Sequence, residues 1–395
     1  MRVMVCNIGS TSFKFQFLDM RDERILARGG IERVGSEKAR IRFYRGAGDL
    51  RVDEEEPIAD QGAAVRAGLA FLTAEVVGSL DEIDAVGFKT VQAGEENGSV
   101  LLTEKVLRAM EEYSDLAPAH NPAYLGAIRM FRELLSATPL VGVFEPGFHA
   151  RKPEYACVYG APLEWYEKYG VRKYGYHGAS LRYVTGETVR RLNLDRNRHK
   201  IIACHLGGSS SVCAFKDGVS IDTSMGLSAQ SGLIQSTRTG DIDAFAVPYI
   251  MKKKGITMEQ AYRELSANGG LKGLSGTSGD MRDIIEAIGQ GSRAAKLARE
   301  KFIYDIKCYM GAYILLMGGV DAVCFTGGTG QKDPELRAEA LGSLEFLGFQ
   351  LDTEANAANR ERIDAPGSTI AALVLETNEE IIVARETVKV AKGTA

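Results

Sequence analysis

The sequence predicts an α/β protein of two domains related by internal duplication, and three observations support this prediction. The chain has 395 residues, a length typical of two domains that each bury a core. A strand, a Gly/Ser loop and a second strand occur over residues 4–18 and again over residues 201–223. A third glycine-rich turn, at 327–330, follows another apolar strand at 320–325. Three such turns after three strands are more specific than one, and two facing loops could hold the phosphates of a nucleotide.

The central hairpin is the clearest of these patterns. Residues 201–206 form a short apolar run with β-branched residues, which predicts a buried strand. The loop at 207–211 contains two glycines and three serines, and strands are predicted again at 211–215 and 219–223. Glycine allows the backbone to approach a phosphate closely, and serine hydroxyls add donors. An ordinary tight hairpin is the alternative, and it would be preferred if this loop stood alone.

Periodicity and capping signals predict the remaining elements. The acidic run at 53–56 is predicted to be a solvated loop. A capping box formed by Thr377 and Glu380 is predicted to begin the last helix, which leaves Glu379 without a capping role. Further strands are predicted at 25–29, 39–44, 85–88, 139–144 and 370–375, and helices at 63–80, 101–113, 123–135, 184–192, 257–265 and 292–317, the last with a core stripe of Leu297, Phe302, Ile306, Met310 and Tyr313.

Composition excludes several classes of function. A net charge of −4 gives no electrostatic reason to expect nucleic acid or an anionic membrane as a partner. The N-terminus enters a strand at once, so we expect no signal peptide, and the apolar stretch near 312–320 is too short to span a bilayer. The six cysteines have no C-x-x-C spacing. Those in predicted strands are expected to be buried thiols, and the cytoplasm is the expected compartment.

Polar residues at strand ends are candidates for chemistry. Lys89 follows the strand at 85–88, and ligands of α/β sheets bind at such ends, although a plain exposed lysine is the simpler interpretation. Glu145 follows the strand at 139–144 and is either catalytic or caps a turn. Glu379 either stabilises the helix dipole or provides a carboxylate for Mg²⁺.

Two further candidates lie in glycine-containing turns. His177 stands between Tyr176 and a glycine, which exposes it enough to meet a ligand; a structural histidine is the alternative. Arg238 lies in a Gly/Thr turn that suits binding of a carboxylate or phosphate. Its alternative role is a salt bridge to Asp241 or Asp243.

From Asn7 to the segment 377–380, the chain resembles the acetate kinase family of short-chain carboxylate kinases. The motifs that carry the resemblance are Trp165–Gly170, Tyr174–Gly178, Asp222–Gly226, Thr237–Asp243 and Asp280–Asp283. The resemblance implies two duplicated actin-like ATPase domains of ribonuclease H-like fold, facing across a nucleotide cleft, in a homodimer. The expected N-terminal domain comprises residues 1–147 and 381–395, and the expected nucleotide-binding domain comprises residues 148–380.

The same resemblance implies reversible phosphoryl transfer from ATP, with Mg²⁺ or Mn²⁺, to a small carboxylate, most simply acetate. The products are an acyl phosphate and ADP. The implied catalytic residues are His177, Arg238, Glu145 and Lys89, and the implied substrate-binding residues are Lys89, Val91, Ala119, Tyr176 and Ala229. The implied nucleotide and phosphate ligands are Asn7, Ser10, Ser12, Lys14, His205, Gly207, Gly208, Ser209, Asp280, Met281, Arg282, Gly327, Gly328, Thr329 and Gly330, with Asn7 and Glu379 at the metal.

Several matched positions depart from the family pattern, and they cluster at the implied site. Lysine at 89 keeps a positive charge but loses the planar, bidentate grip of arginine on a carboxylate. The departures are Lys89 for arginine, Glu145 for aspartate, Gly208-Ser209 for Asn-Gly, Gln331-Lys332 for Glu-Asn, and Ala119 and Ala229 for leucine and proline.

Three interpretations of these departures stay open. The chain is an acetate kinase with a drifted site, or Ala119 and Ala229 enlarge the pocket for a longer or bulkier acid such as propionate. One methylene changes binding in an apolar pocket by only about 1–3 kcal/mol, so the second interpretation means a shifted preference. In the third, the chain is a paralogue that binds nucleotide with little turnover. A sugar or glycerol kinase of the same superfamily fits the end-to-end resemblance less well.

Overall fold

The computed structural model describes residues 1–118 and 120–394, so that Ala119, one of the predicted pocket residues, lies outside the described residues. The chain divides into two compact units. The first unit comprises residues 1–150 and 378–395, and the second comprises residues 151–377. The unit boundaries differ from the predicted domain boundaries by three residues at each crossing, and they place Glu379 in the first unit.

The first unit is built on an eight-stranded sheet whose strand order is β5-β4-β3-β2-β1-β6-β8-β7. Strands β1 to β5 are antiparallel neighbours, whereas β1, β6 and β8 are parallel. The strands are β1 (Arg2–Gly9), β2 (Ser12–Asp19), β3 (Arg24–Glu32), β4 (Ser36–Arg45), β5 (Asp49–Ile58), β6 (Ala85–Thr90), β7 (Ser99–Leu101) and β8 (Leu140–Phe144), and the helices are α1 (Gln61–Glu75), α2 (Glu104–Glu112), α3 (Asn121–Leu134) and α14 (Glu379–Ala391).

Helix α14 belongs to the first unit because it packs against β6, β1 and β8. Gly87 on β6 makes this approach possible, since a Cβ atom there would lie 2.1 Å from Thr387 Oγ1 on the helix. On β2, the alternating Phe13, Phe15 and Phe17 are buried in the core that α1 and α3 also line. The first residue of α14 is thereby held in the same unit as the ends of β6 and β8.

The second unit has a five-stranded sheet with the order β11-β10-β9-β12-β13. Its strands are β9 (Lys200–Leu206), β10 (Ser210–Lys216), β11 (Val219–Thr223), β12 (Ala322–Thr326) and β13 (Ala371–Val374). Its helices are α4 (Leu163–Glu167), α5 (Gly178–Arg191), α6 (Ala246–Lys254), α7 (Met258–Ser266), α8 (Gly270–Ser275), α9 (Met281–Gly289), α10 (Arg293–Met317), α11 (Gly327–Lys332), α12 (Pro334–Gly342) and α13 (Thr353–Ala357).

The two sheets share one topology. In each, an antiparallel meander of three strands continues into two parallel strands: β3-β2-β1-β6-β8 in the first unit and β11-β10-β9-β12-β13 in the second. The first hairpin of each unit corresponds to one copy of the repeated strand, Gly/Ser loop and strand pattern. The internal duplication predicted from that pattern is therefore confirmed.

The prediction of a loop at 53–56 is wrong. This acidic run is part of the edge strand β5. Its side chains are exposed, and β4 and its entry supply cations opposite them. Arg40 pairs with Asp53, and Arg33 Nη2 lies 2.8 Å from Glu55 Oε1. A charged edge strand resists pairing with other chains, which explains why an acidic run can be a strand here.

Three local predictions also need correction. The N-cap of α14 is Asn378, whose side chain accepts from the N–H of Ile381, so Thr377 does not form a capping box. The glycine-rich turn predicted at 327–330 is helical and forms the first turn of α11. Leu297 lies 52% exposed instead of in the core stripe of α10.

The cysteine predictions are confirmed, since Cys6, Cys204, Cys213 and Cys324 are buried, free thiols in strands. Burial raises the pKa of each of these thiols, so they stay protonated and unreactive at neutral pH. Within residues 1–118 and 120–394, no helix combines the length and apolar character needed to cross a membrane.

Candidate functional site

Three charged side chains meet at one edge of the sheet in the first unit. Lys89 lies near the end of β6, Glu145 follows the parallel neighbour β8 directly, and Glu379 is the first residue of α14. Lys89 Nζ lies 3.5 Å from Glu145 Oε1 and forms an ion pair with Glu379. The carboxyl ends of parallel strands share one edge of a sheet, which explains how residues 89 and 145 come together.

Lys89 carries a fixed positive charge in this cluster. Burial lowers the pKa of Lys89, but the attraction of Glu145 and Glu379 outweighs it, so that the pKa lies above the usual lysine value. The simpler interpretation of Lys89, a plain exposed lysine, is wrong, since its side chain is 23% exposed. Tyr124 lies close by and accepts a hydrogen bond from Ile8 N at 3.1 Å.

The first hairpin places Asn7 and Lys14 opposite each other on β1 and β2. Both line a groove of about 280 Å³ together with Arg28, Arg42 and Glu380. Lys14, Arg28 and Arg42 form no ion pair among the described residues, and with Arg40 they outnumber the lining carboxylates Glu32 and Glu380.

Three other predicted residues of the first unit lie outside that groove. Ser10 is at the turn of the hairpin, and Ser12 begins β2. Val91 packs at the margin of the hydrophobic core, just beyond the end of β6. Ser12 nevertheless faces the same side of the sheet as Lys14, because the two residues are separated by one position on β2.

In the second unit, His177 and His205 stack with their ring centroids 4.1 Å apart. His177 precedes α5 with a left-handed backbone, φ +60°, a conformation that costs a non-glycine residue about 1–3 kcal/mol. Its Nδ1 lies 2.9 Å from Ser211 Oγ, and His205 Nδ1 lies 2.8 Å from Ser180 Oγ. Both rings are thus fixed by serine hydroxyls, and strain of this kind is typical of functional positions.

Arg238 is held by neutral acceptors. Its Nη1 donates to Ser209 Oγ at 3.1 Å, to the Ala229 carbonyl at 3.1 Å and to Gln235 Oε1 at 3.2 Å. Burial lowers the pKa of Arg238. A half-buried guanidinium whose partners among the described residues are all neutral is suited to an external anion.

The alternative salt bridges of Arg238 are not formed among the described residues. Asp241 instead accepts from the N–H of Gly232 at 2.8 Å and pairs with Tyr309, while Asp243 accepts from the N–H of Phe245 at 2.9 Å. Neither aspartate therefore neutralises the charge of Arg238 among the described residues.

Gln235 organises this region, although no sequence motif marks it. Its side chain is fully buried, and Oε1 accepts from Ser209 Oγ at 2.8 Å and from Ser210 N at 3.3 Å, besides Arg238. Its Nε2 donates to the Ala229 carbonyl at 2.9 Å. The only signal in the sequence is a polar side chain directly after the apolar Leu233-Ile234 pair.

A cavity of about 620 Å³ collects the predicted nucleotide segments of the second unit. Polar groups from three separate segments of the chain line the cavity, and Leu271, Ile285 and Phe302 form its apolar walls. The predicted residues among its lining are Gly207, Gly208, Asp280, Met281, Arg282, Gly328 and Thr329.

The glycine turn of α11 is fixed at this cavity by close packing. Gly327 has φ +79°, and a Cβ atom there would lie 2.5 Å from the carbonyl oxygen of Leu206 at the end of β9. The carbonyl of Gly330 accepts from Arg337 Nη1 at 2.8 Å, and Arg337 is fully buried. The backbone of residues 327–330 is therefore held rigidly beside the loop at 207–208.

Asp280 caps α9 and accepts from the N–H of Arg282 at 2.9 Å. The side-chain hydrogen bond from Arg282 lowers the pKa of Asp280 to about 2. Elsewhere in the unit, the Tyr176 hydroxyl donates to the Leu227 carbonyl at 2.6 Å and fixes a buried ring directly before His177.

Comparisons with known proteins agree over the whole chain. The sequence profile of the Acetokinase family matches residues 2–385. The acetate kinase of Coprothermobacter proteolyticus is 42% identical to this chain, and the match covers 100% of each. The acetate kinase of Carboxydothermus hydrogenoformans is 43% identical, over 98% of this chain and 99% of its own length.

Solved structures show the same similarity. The crystal structures of Porphyromonas gingivalis acetate kinase and of a propionate kinase from Francisella tularensis both superpose with a TM-score of 0.90, at 35% and 32% identity. Each covers 98% of this chain and 99% of its own. With the shared strand order of the two sheets, they confirm the predicted fold of two duplicated actin-like ATPase domains. The chain belongs to the acetokinase family.

Proposed function

We propose that this protein is a kinase that uses ATP and Mg²⁺ to phosphorylate a short-chain carboxylate, with acetate as the leading substrate. The observation that carries the proposal is the cavity in the second unit, where three separate predicted nucleotide segments converge. Membership of the acetokinase family, whose relatives above are called acetate kinases, supports the choice of acceptor.

In this proposal the second unit binds the nucleotide. The backbone at 207–209 and at 327–330 offers N–H groups to phosphate oxygens, because glycine permits close approach. The apolar walls at Leu271 and Phe302 suit the adenosine. Asp280 and Arg282 lie at the same cavity and supply polar contacts to the nucleoside.

Phosphoryl transfer requires positioning and cationic stabilisation rather than covalent chemistry by the protein. A carboxylate oxygen of the acid attacks the γ-phosphorus, and the bond from that phosphorus to the bridging oxygen of ADP breaks. Arg238 stabilises the negative charge on the transferring oxygens, since its fixed guanidinium has only neutral partners. His177, fixed by Ser211, donates to the same group.

The first unit supplies the charges that handle the acid. Lys89 binds the carboxylate of the acid, while Glu145 and Glu379 hold the ammonium in place. Each carboxylate that pairs with Lys89 also keeps it protonated, so that the cation is available over the physiological pH range.

The donor set of the first unit fits Mg²⁺ or Mn²⁺. Asn7 and Glu379 would hold the ion by an amide oxygen and a carboxylate oxygen, the hard ligands that Mg²⁺ prefers. Among the described residues, no group of three His, Cys, Asp or Glu could hold a metal, and Mg²⁺ typically takes one or two carboxylates plus phosphate oxygens. When bound, the ion neutralises phosphate charge and orients the chain of phosphates.

A longer acid is the second candidate substrate. The similarity to a propionate kinase structure, at 32% identity, favours it as much as the alanine at position 229 does. A pocket that gains room for one methylene changes relative turnover by roughly 10- to 200-fold at most.

The test is acyl-phosphate formation, trapped as the hydroxamate, with Mg²⁺·ATP and acids from formate to branched and longer ones. We expect turnover to peak at acetate, with ADP released in equal amount. Arg238→Gln should abolish turnover, whereas Arg360→Gln, which changes an exposed arginine of the same unit, should not. A turnover peak at a larger acid would make the longer acid the substrate instead of acetate. Tight ATP binding with no acyl phosphate from any acid would overturn the proposal.

A further inference from the structure

A buried lysine lies beneath the segment that carries Tyr176 and His177. Lys152 is only 6% exposed. Its Nζ donates to the carbonyl of Lys173 at 2.8 Å and to the carbonyl of Tyr174 at 3.3 Å. The roles proposed above do not use Lys152, and the sequence motifs did not single it out.

The segment 173–177 is anchored on its other side as well. The N–H of Lys173 donates to the carbonyl of Cys157 at 2.7 Å, and the N–H of Tyr174 donates to the carbonyl of Gly226 at 3.0 Å. Lys173 Nζ also lies 2.9 Å from Asp222 Oδ1. With Lys152 binding the two carbonyls, the peptide groups just before Tyr176 are fixed from both sides.

We propose that Lys152 is a positioning residue that sets the backbone leading to His177 and thereby the place of the imidazole. This inference rests on the proposed function, in which His177 contacts the transferring phosphoryl group. The left-handed backbone of His177 leaves little tolerance at this point, since φ is +60° there and Ser211 fixes the ring independently. A shift of the preceding peptides therefore moves the imidazole away from its hydroxyl partner.

Thermodynamics argues that Lys152 is not present for stability. Burying an ammonium is unfavourable, and an apolar side chain of similar volume removes that cost, which offsets the loss of the two hydrogen bonds to the carbonyls. Burial lowers the pKa of Lys152 to about 8, against attraction from Cys157, Asp222 and Cys213 and with repulsion from Lys173. The unfolded chain, with the ordinary lysine value of 10.5, binds this proton more readily, so the contribution of Lys152 to stability rises with pH between about 8 and 10.5.

Activity should move in the opposite direction over that pH range. Below pH 8 the ammonium makes charge-assisted hydrogen bonds to both carbonyls, which are stronger than those of a neutral amine. Above pH 8 the neutral amine of Lys152 donates weaker hydrogen bonds than the ammonium does, so the segment at 173–174 is held less firmly. Turnover should therefore fall above pH 8, while the contribution of Lys152 to folding stability increases. A purely structural lysine would not give this combination.

The experiment compares Lys152→Met with Lys200→Met in the full-length chain. Lys200 is a matched control because its Nζ also donates to a backbone carbonyl of the second unit, that of Gly318, at 2.7 Å. We expect Lys152→Met to lower kcat roughly 10- to 100-fold, the cost of a displaced catalytic group, with KM for ATP unchanged. Its melting temperature should be equal or higher, and its pH profile should lose the alkaline decline near pH 8. Unchanged kcat and an unchanged profile would overturn the proposal, as would a fall in kcat that only tracks lost stability.

A readout without turnover separates this proposal from the proposed function. The imidazole resonances of His177, assigned through His177→Gln, should shift in Lys152→Met and not in Lys200→Met. If the wild-type chain makes no acyl phosphate but the resonances shift, the proposed function fails and the positioning of His177 by Lys152 stands. If the resonances stay unchanged in Lys152→Met, the positioning proposal fails, whatever the activity of the wild type.

Discussion

At the scale of single residues, the ion-paired cluster of Lys89, Glu145 and Glu379 allows a direct test of the proposed binding of the acid. Lys89→Arg should raise kcat/KM for the carboxylate several-fold, because a planar guanidinium donates two parallel hydrogen bonds where an ammonium offers a point charge. Steady-state kinetics with the preferred acid measures this. Unchanged or lower turnover in a folded Lys89→Arg protein would contradict the role given to Lys89.

Lys89→Met is the matching control for that change. It leaves two carboxylates close together without their cation, which should destabilise the protein by about 3–5 kcal/mol, as for a buried pair that loses one partner. Chemical unfolding separates this loss from the kinetic effect of Lys89→Arg, which keeps the charge.

The sequence could predict these residues wherever a motif or a strand end marked them. Lys89 and Glu145 follow predicted strands, and the structure shows that those strands are parallel neighbours. Gln235 could not be found in this way, because its role depends on accepting from Arg238, Ser209 and Ser210 at once. Such a hub is a property of the folded loops and has no local sequence pattern.

At the scale of elements, the start of α14 determines where Glu379 lies. Asn378 is the N-cap, and its side chain accepts from Ile381 N at 3.0 Å, whereas Thr377 Oγ1 has no hydrogen-bond partner among the described residues. Asn378→Ala should cost about 1 kcal/mol of stability and lower turnover, because Glu379 is the next residue. Thr377→Val should change stability far less. Thermal unfolding and kinetics of both variants test this, and equal losses would favour the capping box of Thr377 after all.

The two wrong predictions for elements have different physical causes. Thr377 and Asn378 are adjacent and both are of residue types that cap helices, so the sequence alone could not separate a capping box at Thr377 from an N-cap at Asn378. The acidic run at 53–56 is poor in strand-forming residues, yet it pairs with β4 because Arg33 and Arg40 supply opposite charges. Tertiary partners outweighed local propensity in that strand.

At the scale of the whole molecule, the duplication was readable because each copy begins with the same hairpin. The structure adds the strand order, since both units continue the hairpin into two parallel strands. The resemblance implied that residues 381–395 return to the first domain, but no local pattern does, because α14 packs on β6 through the close fit of Gly87 against Thr387.

The same scale gives a test of the nucleotide cavity as one site. Three segments far apart in sequence, 207–211, 279–282 and 327–330, contribute to its lining, so one ligand should protect all three together. With Mg²⁺·ADP at about 100 times its Kd, backbone amides that exchange through opening of the site should slow by up to roughly 100-fold, equivalent to about 2.7 kcal/mol. The Gly-rich turn at 289–291 is an internal control, because it lies outside the cavity lining.

Hydrogen exchange followed by mass spectrometry distinguishes the possible results. Protection of all three segments at one ADP concentration, with the turn at 289–291 unchanged, is the expected outcome. Because ligand that binds a single site lowers the opening of each lining segment by the same free energy, the three protection curves should share one midpoint. Protection of 207–211 alone would mean that this loop only binds an anion. It would contradict the nucleotide contacts expected at Asp280, Met281 and Arg282.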